Sequence, residues 1–387
     1  MKSFTVPFDF EPPALRRIGL AVERVNGVNL AQGLCLLPVP EPVIEGAHTA
    51  MLAGHNRYTL AQGIIELREA LASRLQRFNR LACSADSLII TAGSTGAFEI
   101  VCEAMLAPGD EVVTFTPFYP YHRNTLKRRG ATIKFVELAG DQWTFSAEAL
   151  DRAITPRTKF ILLTNPGNPT GKVFSRGELE QIAEIAKKRD VLVVSDEVYE
   201  YLTYDGREHI SVATLPGMAE RTLTMGSYSK TFAVTGWRIG YLLPPAQLHD
   251  TLKIINDQMF ICAPAPLQHG VAHGIQVLPE SFYSGQRVKY SHKRATLTDA
   301  LMAAGLNPVV PQGAYYIVAA TSQRYPGRTS GEVAQLLVDQ IGVAGVPASD
   351  FLGPQVEHDP ERSTFLRFSF SVPDDALEDA SRRLRRL

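Results

Sequence analysis

The sequence predicts an α/β protein in which a mostly parallel sheet, covered on both faces, is followed by a smaller αβ unit. Three observations carry this. Short apolar or β-branched runs recur with helix-like segments between most of them, the runs are continuous, and after about residue 245 the rhythm changes to long helices. Strands buried on both faces read as unbroken apolar runs, whereas a sheet with one wet face alternates.

Residues 1 to about 45 are rich in proline and lack sustained periodicity, with a short helix expected from Ala14 to Val25, ending near Asn26-Gly27. Strands are expected at Leu88 to Thr91, Glu111 to Phe115, Thr132 to Val136, Phe160 to Leu163, Val191 to Val194 and Leu223 to Met225. A helix from Ala97 to Met105 follows the first strand. From Ser175 to Arg189, Ser175 and Glu178 make a capping box, and Leu179, Ile182, Ile185 and Ala186 share one face. Further on, Pro264 to Leu278 and Tyr283 to Ala304 read as long helices. Strands near Ala314 to Val318 and Phe365 to Phe370 and a helix from Asp374 complete the smaller unit. The ending Arg382-Arg383-Leu384-Arg385-Arg386 reads as a solvated last turn that complements the helix dipole.

At roughly 100 to 200 residues per domain, 387 residues make two or three structural units. Apolar residues are 45% and charged residues 20%, which supplies a large core and excludes disorder and disulfide scaffolds. The net charge of -1 gives no electrostatic argument for nucleic acid or a membrane surface. Cys35, Cys83, Cys102 and Cys262 are widely spaced, contain no C-x-x-C pair, and read as buried thiols of a reducing compartment. The amino terminus lacks the apolar core of a signal peptide, and no stretch reaches about 18 apolar residues. A cytoplasmic protein is expected.

Chemistry-bearing residues cluster beyond the expected carboxyl ends of strands, where open α/β sheets place ligands. Gly93-Ser94-Thr95-Gly96 is small enough to let backbone N–H groups approach an anion, although such a turn is often only a turn. It matches neither G-x-G-x-x-G nor G-x-x-x-x-G-K-[ST]. Thr164-Asn165-Pro166-Gly167-Asn168-Pro169-Thr170-Gly171 holds two Asn-Pro steps, each restricting the residue before proline, and is at least a rigid turn. Asp196 ends a strand with Tyr199 three residues on, and an aspartate there can equally cap a helix. Lys230 follows Gly226-Ser227-Tyr228-Ser229 and precedes Gly236-Trp237-Arg238, a crowded setting that suits an amine nucleophile, although a lysine there can equally be a surface residue of a loop. His269 and His273 have helical metal-pair spacing but lack the H-E-x-x-H pattern, so ordinary helix polar residues are the better reading. No G-x-S-x-G elbow occurs.

Anion cradle, Asn loop, strand-end Asp, Lys and Arg arrive in that order over nearly the whole chain, and this series resembles the class I/II aminotransferases of fold type I. Asn56-Arg57-Tyr58, Gly63 and Leu67-Arg68 also look like the family's, as does Arg367 in Leu366-Arg367-Phe368-Ser369-Phe370. The resemblance implies a seven-stranded large domain over residues 46–283, a small domain from 1–45 plus 284–387, and pyridoxal 5'-phosphate as cofactor. Lys230 would bind the cofactor covalently and carry the proton between the substrate Cα and the cofactor C4'. Asp196 would hold the pyridine nitrogen protonated, and Asn168 and Tyr199 would bond the phenolic oxygen. Ser94, Thr95, Ser227 and Arg238 would take the phosphate, and Tyr119 would stack on the ring. Arg367 would grip the substrate carboxylate, with Gly33 bringing backbone close to it. Tyr58 would reach the phosphate of a neighbouring subunit, which implies a homodimer with shared active sites.

Two departures bear on the substrates, an amino-acid donor and a 2-oxo acid acceptor. Gly33-Leu34-Cys35-Leu36-Leu37-Pro38 replaces a more polar turn and favours apolar, aromatic, methionine-like or glutamine-like donors. Thr95 stands where a branch that prefers dicarboxylates carries lysine. Tyr121 and His122 also depart from the usual aromatic loop, and His122 takes no role from the resemblance. Motifs around Lys230 are equally compatible with C–S β-elimination or amino-acid oxidation, and a ligand-sensing regulator would need a DNA-binding extension.

Overall fold

A computed structural model describes residues 14–353 and 363–387. The expectations for the first 13 residues lie outside it. The large sheet has seven strands in the spatial order Ile89–Ala92, Ile239–Leu243, Thr222–Ser227, Leu192–Asp196, Thr158–Thr164, Glu111–Thr116 and Thr132–Glu137. All run parallel except Ile239–Leu243, which is antiparallel to both neighbours. That strand is the one the apolar-run reading lacks, because its start is embedded in the Gly236–Gly240 segment.

The unbroken apolar runs have a direct cause. Val112, Phe160 and Val194 face the helices Gly93–Met105 and Ala246–Phe260, while their neighbours Val113, Ile161 and Val193 face Arg176–Arg189. Both faces are dry, so both alternating sets must be apolar. In Arg176–Arg189 the expected capping box forms: Ser175 Oγ accepts from Glu178 N at 3.3 Å, and Glu178 Oε2 accepts from Ser175 N at 2.8 Å.

The carboxyl-terminal part builds a four-stranded antiparallel sheet, Val346–Pro347, Phe365–Ser369, Tyr316–Ala320 and Asn307–Val309. The first described helix, Ala14–Arg24, buries Ile18 and Val22 in the same core as this sheet. Three boundaries correct the sequence reading. The helix expected from Ala97 starts at Gly93, so Gly93-Ser94-Thr95-Gly96 is its first turn. The strand expected from Ala314 starts at Tyr316, because Ala314 is left-handed at φ 55°. The long helix expected from Tyr283 begins at Glu280, straight after Pro279. The helices Glu41–Leu52 and Ile65–Phe78 have no counterpart among the sequence expectations. Cys35 and Cys102 are buried as expected, but Cys83 and Cys262 are only half-buried.

Candidate active site

Parallel strands deliver their carboxyl ends to one sheet edge, and the antiparallel strand delivers its first residues to the same edge. Ile239 lies opposite Ala92 and Gly240 opposite Ser227, so Arg238 reaches the cradle at Gly93. A cavity of about 380 Å³ opens there. Its wall holds Ser94, Thr95, Ser227 and Arg238 at one end, Tyr119, Asn168, Asp196, Tyr199 and Lys230 along the middle, and Gly33 with Arg367 opposite.

The cradle end is shaped for an anion. No side chain caps the helix Gly93–Met105, so its first-turn N–H groups are left for a ligand. Gly93 sits at φ +72°, and a Cβ there would lie 2.4 Å from Arg238 Nη2. Glycine is therefore what lets the guanidinium close over the cradle, held by Thr235 O at 3.0 Å and Ala92 O at 3.3 Å. Ser227 Oγ accepts from Ser229 N at 3.1 Å and donates within a cluster containing Ser229 Oγ at 2.7 Å and Ile239 O at 2.9 Å.

In the middle, Asp196 is buried and its Oδ2 lies 3.2 Å from His122 Nε2. Tyr119 meets the His122 ring edge-on at 5.1 Å between centroids. The Tyr199 and Tyr316 hydroxyls are 2.9 Å apart. Burial, and then the neighbouring Tyr316, push the Tyr199 phenol well above its ordinary value, so it stays protonated and able to donate. The two asparagines of the loop have separate jobs. Asn165 Oδ1 accepts from Phe174 N at 3.1 Å and fixes the loop, while Asn168 Oδ1 accepts from Arg367 Nη1 at 3.0 Å.

At the far end Lys230 Nζ donates to Gly33 O at 3.0 Å. Gly33 has no room for a side chain, since a Cβ would fall 2.1 Å from the Tyr316 hydroxyl. Arg367 is 3% exposed, donates to Asn168 and to Ala31 O, and keeps its Nε buried without a partner. It has no ion pair among the described residues. A buried cation in that condition is costly unless a ligand completes it, and the complement of a guanidinium is a carboxylate.

The residue pattern and this geometry meet in the comparisons. The family model described as "Aminotransferase class I and II" matches residues 25–384. The chain is 32% identical to the kynurenine--oxoglutarate transaminase of Dictyostelium discoideum, over 99% of this chain and 94% of that protein. It is 34% identical to the aspartate/prephenate aminotransferase of Thermus thermophilus, over 100% of this chain and 96% of that one. Among solved structures, the N-succinyldiaminopimelate aminotransferase from Mycobacterium tuberculosis superposes with a TM-score of 0.92 at 31% identity, covering 97% of each chain. The chain belongs to the class I and II aminotransferase family.

Members of this family are transaminases that use pyridoxal 5'-phosphate, and the residues present fit that cofactor. The uncapped helix end with Arg238 suits its phosphate, and buried Asp196 suits its ring nitrogen. Two contacts of this aminotransferase site were not assigned from sequence. His122 touches Asp196, and only the Pro117-Phe118-Tyr119-Pro120-Tyr121-His122 run signalled it. Tyr316 touches Tyr199 from 117 residues away, with no local signal. Tyr58 stands outside the cavity and is 80% exposed. Of the apolar amino-terminal segment, Leu34 faces the cavity, whereas Cys35 turns away to Lys230 O and Tyr290 Oη.

Behind Asp196, buried Glu197 accepts from Ser195 Oγ and Ser211 Oγ at 2.8 Å each and meets His209 Nε2 at 2.8 Å. Ligand atoms of Glu197, Glu200 and His209 lie within 4.8 Å of one another. Because the donors already occupy Glu197, the cluster is a hydrogen-bonded buttress for the loop that carries Asp196 and Tyr199.

Proposed function

We propose that this aminotransferase moves the α-amino group of an L-amino acid with an apolar or aromatic side chain, methionine- and glutamine-like donors included, to a 2-oxo acid. The observation that carries the α-amino acid part is Arg367: a buried guanidinium with an unpartnered Nε, across the cavity from Lys230. Leu15 and Leu34, which line the same cavity, support the side-chain preference.

The chemistry that pyridoxal 5'-phosphate supplies when bound is an electron sink conjugated to the substrate nitrogen. This chain's residues do the rest. Ser94, Thr95, Ser227 and Arg238 would hold the phosphate, and Tyr119 would cover the ring. Asp196, steadied by His122, would keep a proton on the ring nitrogen, while Tyr199 and Asn168 would bond the ring oxygen. Arg367 orients the substrate carboxylate so that Cα–H points at Lys230. Lys230 Nζ would be the group that accepts this proton and carries it to the cofactor.

The same reading assigns residues 46–283 to the cofactor-holding domain and residues 1–45 with 284–387 to the small one. It also makes the protein a homodimer. Met51, Leu52, Tyr58 and Leu60 are exposed on one stretch of chain, which suits burial against a second copy, where Tyr58 would reach the partner's phosphate. Free cysteines support the cytoplasm as its compartment. No helix among the described residues is long and apolar enough to cross a membrane.

The test is a panel of L-amino acids mixed with stoichiometric holoenzyme and no oxo acid, read by the cofactor's own absorbance. Apolar and aromatic donors should convert it to the pyridoxamine form. Conversion confined to acidic donors would refute the donor assignment, and dimerisation is checked by light scattering.

A further inference from the structure

The residues of the active site leave a larger cavity unused. About 750 Å³ in volume, it opens at the amino-terminal edge of the large sheet. The strand Thr222–Ser227 begins in its wall and ends at Ser227 in the phosphate cradle. Its neighbour Ile239–Leu243 starts straight after Arg238 and ends in the same wall. The two sites therefore lie at opposite ends of the same two strands, roughly 17 Å apart at a strand's rise per residue.

Three polar atoms in this wall have no partner among the described residues. Thr222 and Thr224, alternate residues of one strand, share a sheet face. They are 2% and 0% exposed, and their Oγ1 atoms are buried without a hydrogen bond. His249 Nε2 is in the same condition. A buried hydroxyl left unpaired is costly, and two that line one cavity mark a place where an outside group completes them. Charge says which kind. The helix Ala246–Phe260 starts in the wall with Pro245, Ala246 and Gln247, and no side chain caps it, so a positive helix end faces the cavity. Arg80 also lines the cavity, is exposed, and has no hydrogen bond or ion pair among the described residues. Two acids stand in the wall without cancelling this charge: Asp86 is held by Arg68 at 3.3 Å, and Glu220 is exposed to water, which screens it. Leu81, Ala82, Ala213, Leu215 and Leu243 make an apolar floor.

We propose that this cavity is a second ligand site, separate from the active site, which takes a small carboxylic acid with an apolar body. The carboxylate lies at the start of Ala246–Phe260, where Arg80 and the Thr222 and Thr224 hydroxyls donate to it, and the body packs on Leu81, Leu215 and Leu243. A carboxylate suits the site better than a phosphate, because one guanidinium and one helix end balance a single negative charge and the wall beyond them is apolar.

The test uses 4-bromobenzoate as the probe and the holoenzyme as it stands. In soaked crystals, anomalous scattering from bromine should place the probe in this cavity, whatever else it occupies. Calorimetric titration then compares wild type with Arg80→Gln and Thr224→Val, both distant from the active site, so that any loss belongs to the cavity. Affinity should weaken about tenfold in Arg80→Gln, the loss expected for one charge-assisted contact at a partly solvated site, and about threefold in Thr224→Val. Arg80 is exposed, so Arg80→Gln decides the matter even if Thr224→Val does not fold. The uncharged 4-bromobenzamide and inorganic phosphate should each bind about tenfold more weakly than 4-bromobenzoate, and turnover of both variants should match wild type. Bromine confined to the active site, ordered water alone on the two threonines, or binding at crystal concentration only would overturn the proposal. So would equal affinity for the amide or for phosphate, affinity unchanged in Arg80→Gln, or altered turnover in that variant.

Discussion

Replacing Gly93 by alanine isolates the phosphate cradle from the rest of the site. The new Cβ would lie 2.4 Å from Arg238 Nη2 and 2.7 Å from its Cζ, so the guanidinium must move, and the backbone there is left-handed at φ +72°. Two costs follow. Holding a residue with a Cβ in that conformation costs roughly 1–2 kcal/mol, and both the apo and the loaded protein bear it. Displacing Arg238 removes a charge-assisted hydrogen bond worth about 1.5–3 kcal/mol, and only the loaded protein bears that. Gly93→Ala should therefore weaken the cofactor about ten- to a hundredfold beyond its effect on apo stability. Covalent attachment would mask the change, so the comparison is Gly93→Ala/Lys230→Ala against Lys230→Ala, titrated with pyridoxal 5'-phosphate, with denaturant melts of both apo proteins. Equal cofactor affinity in the two would show that Arg238 does not hold the phosphate.

Arg367→Lys keeps the charge but cannot contact Asn168, Ala31 and a carboxylate together, so kcat/KM for α-amino acids should fall about ten- to a hundredfold. Amine donors lacking a carboxylate should be unaffected, and an equal fall for both would discount the assignment. His122→Phe removes the contact to Asp196, so it should lower kcat about tenfold with KM little changed; a change confined to KM would contradict the contact's role. Burial pushes the Glu200 carboxyl up to about 7 from 4.5, so the folded state holds a proton that the unfolded state has lost. Stability should then fall as pH rises across that interval. The nearby His209, whose value is also raised through Glu197 despite burial, acts in the same direction. Glu200→Gln should flatten the fall between pH 4.5 and about 7 in melts across that range, and an unchanged slope would remove Glu200 as its source.

Elements whose signal is local were legible in the sequence. The capping box at Ser175 and the apolar runs at 111, 160 and 191 appear where periodicity puts them, because a helix cap or a doubly buried strand is written in consecutive residues. The strand Ile239–Leu243 was not legible: its glycine and aromatic lead-in serves the anion cradle, and its antiparallel sense is decided by pairing. The turn at Gly93 proved to be the first turn of a helix that no side chain caps, so the usual local start signal is missing from the sequence. Half-exposed Cys83 and Cys262 show that burial of a lone thiol depends on neighbours that composition does not specify.

By itself the sequence determined the cast and its order: Asn168, Asp196, Tyr199, Lys230, Arg238 and Arg367, each attached to a strand end or a loop it encodes locally. Only the tertiary structure decided which of them touch. His122 meets Asp196, Tyr316 meets Tyr199 and Lys230 meets Gly33, through contacts between elements distant in the chain. Such contacts are set by how sheets and helices pack, and packing is a property of the whole core.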